Sequence, residues 1–513
     1  MSWNLVRILE KSAASNPDHP AYVFQEKSTS YAELMQQISQ CSSGLASHGI
    51  AKGDKVVLLL GNSPEFIISY YGILHLGGIV VPVNPTYKPE EIAYILGNSG
   101  ATAVIAVGAL KPMIAVLSEK IPSVRLTVYT NAETGSSSWE ALIASGDDNI
   151  VSVYNDNNDT AVILYTSGTT GKPKGAMLSH RNLATNAHAL HTIFGIQSTD
   201  KVVTVLPMFH IYCMTVCVNA PLAVGSTILI MPRFQPAEIM RTIREQQATM
   251  FSGVPTMYSF LLQYPDAKRE DFTSIRLCSS GGASLPVEVL HKFEEKFQVK
   301  ISEGYGLSEA SPVTAFNPPG GIRKWGSVGV NIPDVINKVI DVDGNELPRG
   351  EVGELIVKGP NVMQGYFNMP EATAAALKDG WLYTGDLAQM DEEGYIFIVD
   401  RKKDMINVGG YNVYPREVEE VIYQHPGVFE AAVIGVKDDV FGEKVKAFVV
   451  RNDQQLTSDG LMEFCKERLV KYKLPAFIEF IEELPKNSSG KTLRRALRES
   501  SASSVPSEPG DTP

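Results

Sequence analysis

The chain has 513 residues, which at roughly 100–200 residues per domain is enough for more than one globular unit. With 44 % hydrophobic and 20 % charged residues it is neither disordered nor fibrous. Fifty-seven acidic residues against 45 basic ones, a net charge of −12, exclude a protein whose main task is gripping nucleic-acid phosphates. Five cysteines, Cys41, Cys213, Cys217, Cys278 and Cys465, are spread too thinly for a disulfide framework and suit a reducing compartment, with the cytoplasm as the expected location.

The opening MSWNLVRILEKSAASNPDHP has charges at Arg7, Glu10 and Lys11 and no long apolar block, so it does not read as a signal peptide. Phe66 to Val83 and Val203 to Met231 are apolar stretches of membrane-span length. His75 and Pro82 interrupt the first, and Pro207, His210, Asn219, Pro221 and Gly225 the second, which predicts buried helix–turn–strand segments instead. Ala161 to Tyr165, Val202 to Leu206 and Ser226 to Met231 read as buried strands, while Leu183, Ala187, Leu190 and Phe194 recur at helical spacing. Alternating strand and helix predicts an α/β architecture. From about Glu351 the texture turns strand- and turn-rich, as in a small β-subdomain. The charged run Asp400 to Asp404 has no apolar residue to bury and reads as a linker. Beyond it Pro415 opens a helix with Val418, Val421 and Ile422; FEAAVIGV and VKAFVV read as strands, Leu461, Phe464 and Leu469 as a helix, and FIEFIEEL as a last strand. Residues 499–513 have the composition of a disordered tail.

The densest chemical signal is YTSGTTGKPKG, Tyr165 to Gly175, directly after the AVIL strand. Its glycines allow a tight turn that presents N–H groups, its Ser and Thr side chains supply hydroxyls, and Lys172 and Lys174 add positive charge, a composition suited to a polyphosphate. The spacing is not that of a Walker A loop, here or at Gly490-Lys491-Thr492, and GLSEA at Gly306 to Ala310 fails the G-x-S-x-G elbow of serine hydrolases. His210, Cys213 and Cys217 are closely spaced, but no fourth ligand lies near for zinc.

That loop, with PMFHIY (Pro207 to Tyr212), SEGYGLSE (Ser302 to Glu309), YTGD (Tyr383 to Asp386), DRKKDMINVGGYNVYPREVE (Asp400 to Glu419) and PKNSSGKTLRR (Pro485 to Arg495), resembles the adenylate-forming superfamily: acyl-CoA synthetases, luciferases and peptide-synthetase adenylation domains. Six blocks fall in the family's order between about residues 10 and 498. The resemblance implies a large N-terminal domain over 1–400, with two mixed α/β sheets and a small β-subdomain. A hinge at 401–404 and a mobile α+β C-terminal domain over 405–498 would follow.

It further implies that Thr166, Ser167, Gly168, Thr169, Thr170 and Lys174 hold phosphates, and that Glu309, with Thr166, binds Mg²⁺. Tyr305 would stack on adenine, backed by Gly281, Gly282 and Ala283, with Glu303, Gly304 and Ser308 in the same nucleotide set. Asp386 and Arg401 would meet the ribose. His210 would lie at the mouth of the acyl pocket, lined by Tyr212, and Gly304 would leave space for a longer chain. Lys491 would bridge carboxylate and phosphate, Lys403 would be the hinge residue, and Gly409 and Gly410 would line a tunnel for CoA. The implied reaction joins a medium- to long-chain fatty acid to CoA, using ATP, through an acyl-adenylate. The alternatives are an aryl-acid ligase of the 4-coumarate kind, a peptide-synthetase-type adenylation domain, or a non-catalytic nucleotide-binding protein. The partners would be small molecules, with no nucleic acid, no transmembrane segment, peripheral membrane contact at most, and a monomeric or homodimeric state.

Overall fold

The computed structural model describes residues 2–131, 135, 137–147, 152–153, 156–166, 172–487 and 490–503. Ser167, Gly168, Thr169 and Thr170 of the glycine-rich loop lie outside the described residues.

Two large sheets form the body. In the first, the strands Ala103–Val107, Lys55–Leu59, Ile79–Pro82 and Thr160–Thr166 run parallel, and Lys174–Ser179 turns back antiparallel to Thr160–Thr166. The parallel strands are continuous apolar runs because helices cover both faces: Val57 and Leu59 point into one core cluster, Val56 and Leu58 into another. In the second sheet Ile301–Gly306, Leu277–Ser280, Met250–Gly253, Lys201–Thr204, Thr227–Ile230 and Pro20–Phe24 are parallel, and Val313–Phe316 adds an antiparallel neighbour to the first of these. The strands expected at Ala161 to Tyr165, Val202 to Leu206 and Ser226 to Met231 are all present, each with slightly different ends.

Local chemistry sets the elements. The helix His180–Phe194 starts where the Ser179 hydroxyl accepts from Asn182 N and the Asn182 side chain accepts from Ser179 N; it stops where Gly195 adopts φ +56°. Removing such a cap costs about 1 kcal/mol. The apolar stretch at 203–231 is a strand, a chain of short helical turns and a second strand, and among the described residues no helix is long and apolar enough to cross a membrane.

A five-stranded antiparallel sheet of Ile336–Ile340, Gly353–Lys358, Trp381–Met390, Leu377–Lys378 and Ile396–Arg401 forms the β-subdomain. Another five-stranded sheet, built entirely from later strands, has Tyr411–Val413, Ile406–Val408, Gly442–Arg451 and Val428–Asp438 antiparallel and Phe477–Phe480 parallel to Gly442–Arg451; it forms the smaller C-terminal domain with its own core around Val418, Val433 and Val449. The last helix, Arg494–Ser503, continues past residue 499, where composition predicts a tail to start. Leu497 and Ser501, one turn apart, are buried and hold it down.

Two expectations change. The charged run at 400–404 is not a solvated linker: Asp400 and Asp404 are 5 % and 6 % exposed. Arg494 lies 3.8 Å and 3.9 Å from their carboxylates while gripping Glu419 at 2.6 and 2.8 Å, and Arg498 reaches Asp404 at 2.7 Å. Gly304, in turn, leaves no room for an acyl chain. Its antiparallel partner is Phe316, and a Cβ on Gly304 would meet the Phe316 ring at 2.3 Å, with Phe194 packed on that ring at 4.7 Å between centroids. Gly304→Ala should therefore overpack the sheet and cost about 1–3 kcal/mol in denaturant unfolding; an unchanged midpoint would show that Phe316 swings away freely.

Candidate active site

The two sheets, the β-subdomain and the small domain meet at a cleft above the ends of Leu277–Ser280 and Ile301–Gly306. Parallel strands place their carboxyl ends on one edge, so Gly281 to Ala283 and Tyr305 arrive there together. Gly282 takes φ +79°, a conformation that suits glycine, and the space beside Gly281 is filled by Tyr212, whose ring carbon would lie 3.3 Å from an added Cβ. Tyr212 is buried, with weak hydrogen bonds from its hydroxyl to Ser279 at 3.4 and 3.5 Å.

Tyr305 Oη donates to Asp386 Oδ2 at 2.5 Å, tying the second large sheet to the β-subdomain, and burial with the Asp386 charge pushes that phenol well up. Asp386 and Arg401 are directly paired across two antiparallel strands, with Arg401 Nε 3.4 Å from Asp386 Oδ1. These three residues therefore form one constellation, although the sequence separates the first from the last by almost a hundred positions.

Lys491 enters the cleft from the small domain. Its loop is held by Asn487, which accepts from Lys491 N through its side chain and from Gly490 N through its carbonyl, both at 2.9 Å. Gly490, at φ +79°, sits against the large domain: a Cβ there would lie 3.1 Å from Val254 and 3.2 Å from Thr256. Burial, with help from Arg401, lowers the Lys491 ammonium to about 8, so it stays mostly charged at neutral pH. Burial and then the Lys491 charge lower His210 to about 4, which leaves that imidazole neutral. His210 caps a short helical turn, its Nδ1 accepting from Tyr212 N at 3.3 Å.

Glu309 stands on a single 3₁₀ turn, Ser308–Ala310, whose frame is two buried asparagines: Asn361 Nδ2 donates to the Ala310 and Val313 carbonyls, and Asn186 exchanges two bonds with Val313. Tyr366 Oη donates to Glu309 Oε1 at 2.9 Å, and Met363 N donates to the Glu309 carbonyl at 2.8 Å. The same Tyr366 ring carries Lys174 Nζ 5.2 Å from its centroid, and Lys172 lies similarly over Tyr94 at 5.5 Å. Thr166 Oγ1 is 3.5 Å from the Lys174 carbonyl. Tyr366 escapes sequence reading because its strand, Gly365–Tyr366, is two residues long and has no periodicity.

Glu303 is placed elsewhere. It is 2 % exposed behind the cleft wall, one oxygen accepting from Leu285 N at 3.0 Å and the other without a hydrogen-bond partner among the described residues. Gly409 and Gly410 also lie apart, at an exposed hairpin tip of the small domain, with φ +60° and +89°; nothing approaches within 4 Å of a Cβ on Gly410. Lys403 is exposed between the buried Asp400 and Asp404.

A two-domain α/β fold with a carboxylate, an imidazole and a lysine brought to where the domains meet is the architecture of an enzyme cleft. The chain belongs to the AMP-binding enzyme family: that family's main model matches residues 9–367, and the model of its C-terminal domain matches 417–491. It is 39 % identical to a long-chain-fatty-acid–CoA ligase of Bacillus subtilis (strain 168), over 96 % of this chain and 94 % of the relative. Among solved structures, ATP-bound MatB from Rhodopseudomonas palustris is 34 % identical with a TM-score of 0.92, covering 98 % of this chain and 99 % of that one. The apo form of the same protein, at the same identity and coverage, gives 0.81. The domain arrangement here is thus nearer the ATP-bound one.

The lowered Lys491 should be visible directly. Competitive acetylation across pH, read by mass spectrometry, should give Lys491 a midpoint near 8 against the ordinary 10.5; a midpoint near 10.5 would mean that the cleft does not close over it.

Proposed function

We propose that the chain is a long-chain fatty acid–CoA ligase working in two half-reactions. In the first, a carboxylate oxygen attacks the α-phosphorus of ATP, the bond to pyrophosphate breaks, and acyl-AMP forms. In the second, the CoA thiol attacks the acyl carbon, the bond to AMP breaks and a proton is released. The observation that carries this reading is Lys491, half-buried in the cleft and electrostatically coupled to His210 and Asp386, because a cation placed between two anionic reactants is what the first step requires.

Tyr305 offers a ring to the adenine, and Asp386, with Arg401, offers acceptors and donors to the ribose. His210 is neutral and so orients the acid without repelling Lys491. Oxygen donors suit Mg²⁺, which keeps several waters and needs only one or two carboxylates. Glu309 fits: Tyr366 occupies one of its oxygens, and the other has no protein hydrogen bond among the described residues. Glu309 and Thr166 would hold the ion, which when bound offsets phosphate charge. The hinge lies at 401–404, with Lys403 the residue that turns. Swinging the small domain withdraws Lys491 and brings Gly409 and Gly410 to the cleft, where missing side chains leave space for the thiol arm of CoA.

Purified protein given ATP, Mg²⁺, CoA and a panel of fatty and aryl acids should release AMP and pyrophosphate, with kcat/KM highest for long-chain acids. No acid-dependent AMP would sink the assignment. Lys491→Ala should lower adenylation by a factor of about 10²–10³ yet leave thioester formation from supplied acyl-AMP nearly intact; equal losses would contradict the two-orientation scheme. Tyr366→Phe should weaken Mn²⁺–ATP binding about tenfold by calorimetry, as one hydrogen bond to a charged group predicts, with unchanged affinity as the refuting result.

A further inference from the structure

Behind the cleft, the domain contact contains an arrangement that the reaction chemistry does not use. Glu303, from the large domain, has a buried oxygen with no hydrogen-bond partner among the described residues. Within electrostatic reach of it across the interface are Arg416 and Glu420, one turn apart on the small domain's helix Pro415–Tyr423. Glu420 Oε2 accepts from Val287 N of the large domain at 3.3 Å, and Arg416 Nε is 3.7 Å from Glu420 Oε1. Arg416 also donates to the carbonyls of Ile398 and Gly326, at 2.6 and 3.4 Å. A buried carboxylate, Glu303, and a half-buried one, Glu420 at 27 % side-chain exposure, therefore share one guanidinium, leaving one negative charge in excess unless a proton is bound.

Among the described residues, Arg416 is the one cation coupled to both carboxylates. On the same helix Glu419 is taken by Arg494 and Glu417 by Lys473. On the adjacent helix Val287–Phe297, Glu288 pairs with Lys292, Glu294 with Arg323, and His291 packs on Trp325. The neighbouring strand contributes Cys278, whose thiol burial pushes up and keeps neutral.

We propose that Glu303 is a positioning residue for adenylation, latching the small domain through Arg416 and Glu420 in the orientation that inserts Lys491, and that it does so in its protonated form. The inference rests on the two-orientation reading above. Closure buries Glu303 against a second carboxylate, and an ionised pair there would leave an unpaired anion away from water. Burial, partly offset by Arg416, raises the Glu303 carboxyl to about 7, and Glu420 is raised as well. Opening exposes the pair and returns Glu303 towards the ordinary 4.5. A group raised in the closed state makes closure take up a proton. Closure is therefore favoured as pH falls below about 7 and loses that contribution above it, a change of roughly tenfold in the closed-to-open ratio between pH 8 and pH 6. Lys491 works in the opposite sense: its ammonium is lowered from 10.5 to about 8 on entering the cleft, so closure sheds a proton there, a bias of about twofold against closure between pH 8 and pH 6.

The test is interdomain fluorescence energy transfer in the full chain with ATP and Mg²⁺, using dyes on Lys120→Cys and Lys466→Cys, since the five native thiols are buried. The closed-to-open ratio should rise about fivefold from pH 8 to pH 6, the Glu303 contribution of about tenfold less the opposing one of about twofold from Lys491. Glu303→Gln, neutral and nearly isosteric, should lose that rise and keep only the weak opposite trend of Lys491, and its adenylation profile should keep only the limb near pH 8. If Glu303→Gln does not fold, Glu420→Gln removes the same excess charge from the other domain and should flatten the response. A flat response in the unsubstituted chain, or a rise of the same size that persists in both variants, overturns the proposal. The energy-transfer readout does not depend on which acid is activated, so failure of the latch and failure of the ligase assignment are distinguishable.

Discussion

A single ammonium group carried from one domain into a cleft of the other constrains the rest of the structure. Lys491 loses water on entering, and Arg401 and Arg494 oppose it, while Asp386 and Asp404 support its charge. The cost is held down because the acids were placed there first by the β-subdomain sheet and the segment that follows it. An interface built mainly from apolar surface would fix such a lysine permanently. This one includes polar contacts: backbone carbonyls receive Arg416 and a backbone N–H meets Glu420, with Phe260 on Phe429 as an aromatic contact. Polar contacts of this kind exchange with water at little net cost, which is what the proposed swing of the small domain requires.

The architecture was readable because parallel strands buried on both faces are unbroken apolar runs, as at AVILY, and because helices advertise their spacing and caps. The positions of Asp386, Arg401 and Lys491 were readable from motif order. What failed was pairing at a distance. The charged run at 400–404 looks solvated in composition, yet Arg494 and Arg498 return some ninety residues later to cover its acids. Gly304 suggested open space, but whether a glycine gap is empty depends on the residue across the ladder, and the register puts Phe316 there. Glu303 lies in the same strand as Tyr305, one of the clearest motif residues, and only the fold shows that its carboxylate turns to the domain contact. Tyr366 was missed for the opposite reason: its neighbours form no element long enough to have a pattern.

The net charge of −12 poses a problem for a protein proposed to bind a triphosphate and a carboxylate. Arginines do not solve it here, because those near the cleft are already matched: Arg494 with Glu419, Arg498 with Asp404, Arg401 with Asp386. Lysines are treated differently. Lys172 and Lys174 make no ion pair among the described residues, and each ammonium is held over a tyrosine ring. A quadrupole restrains a cation without cancelling its charge, so both remain available to an anion, whereas a carboxylate partner would have to be displaced first. Tyr366 then has two duties that agree: its face restrains Lys174, and its hydroxyl fixes one oxygen of Glu309 so that the other stays open. An acidic chain can in this way keep a cationic centre, provided its free lysines rest on aromatic rings and its arginines are matched to acids such as Asp386, Asp404 and Glu419.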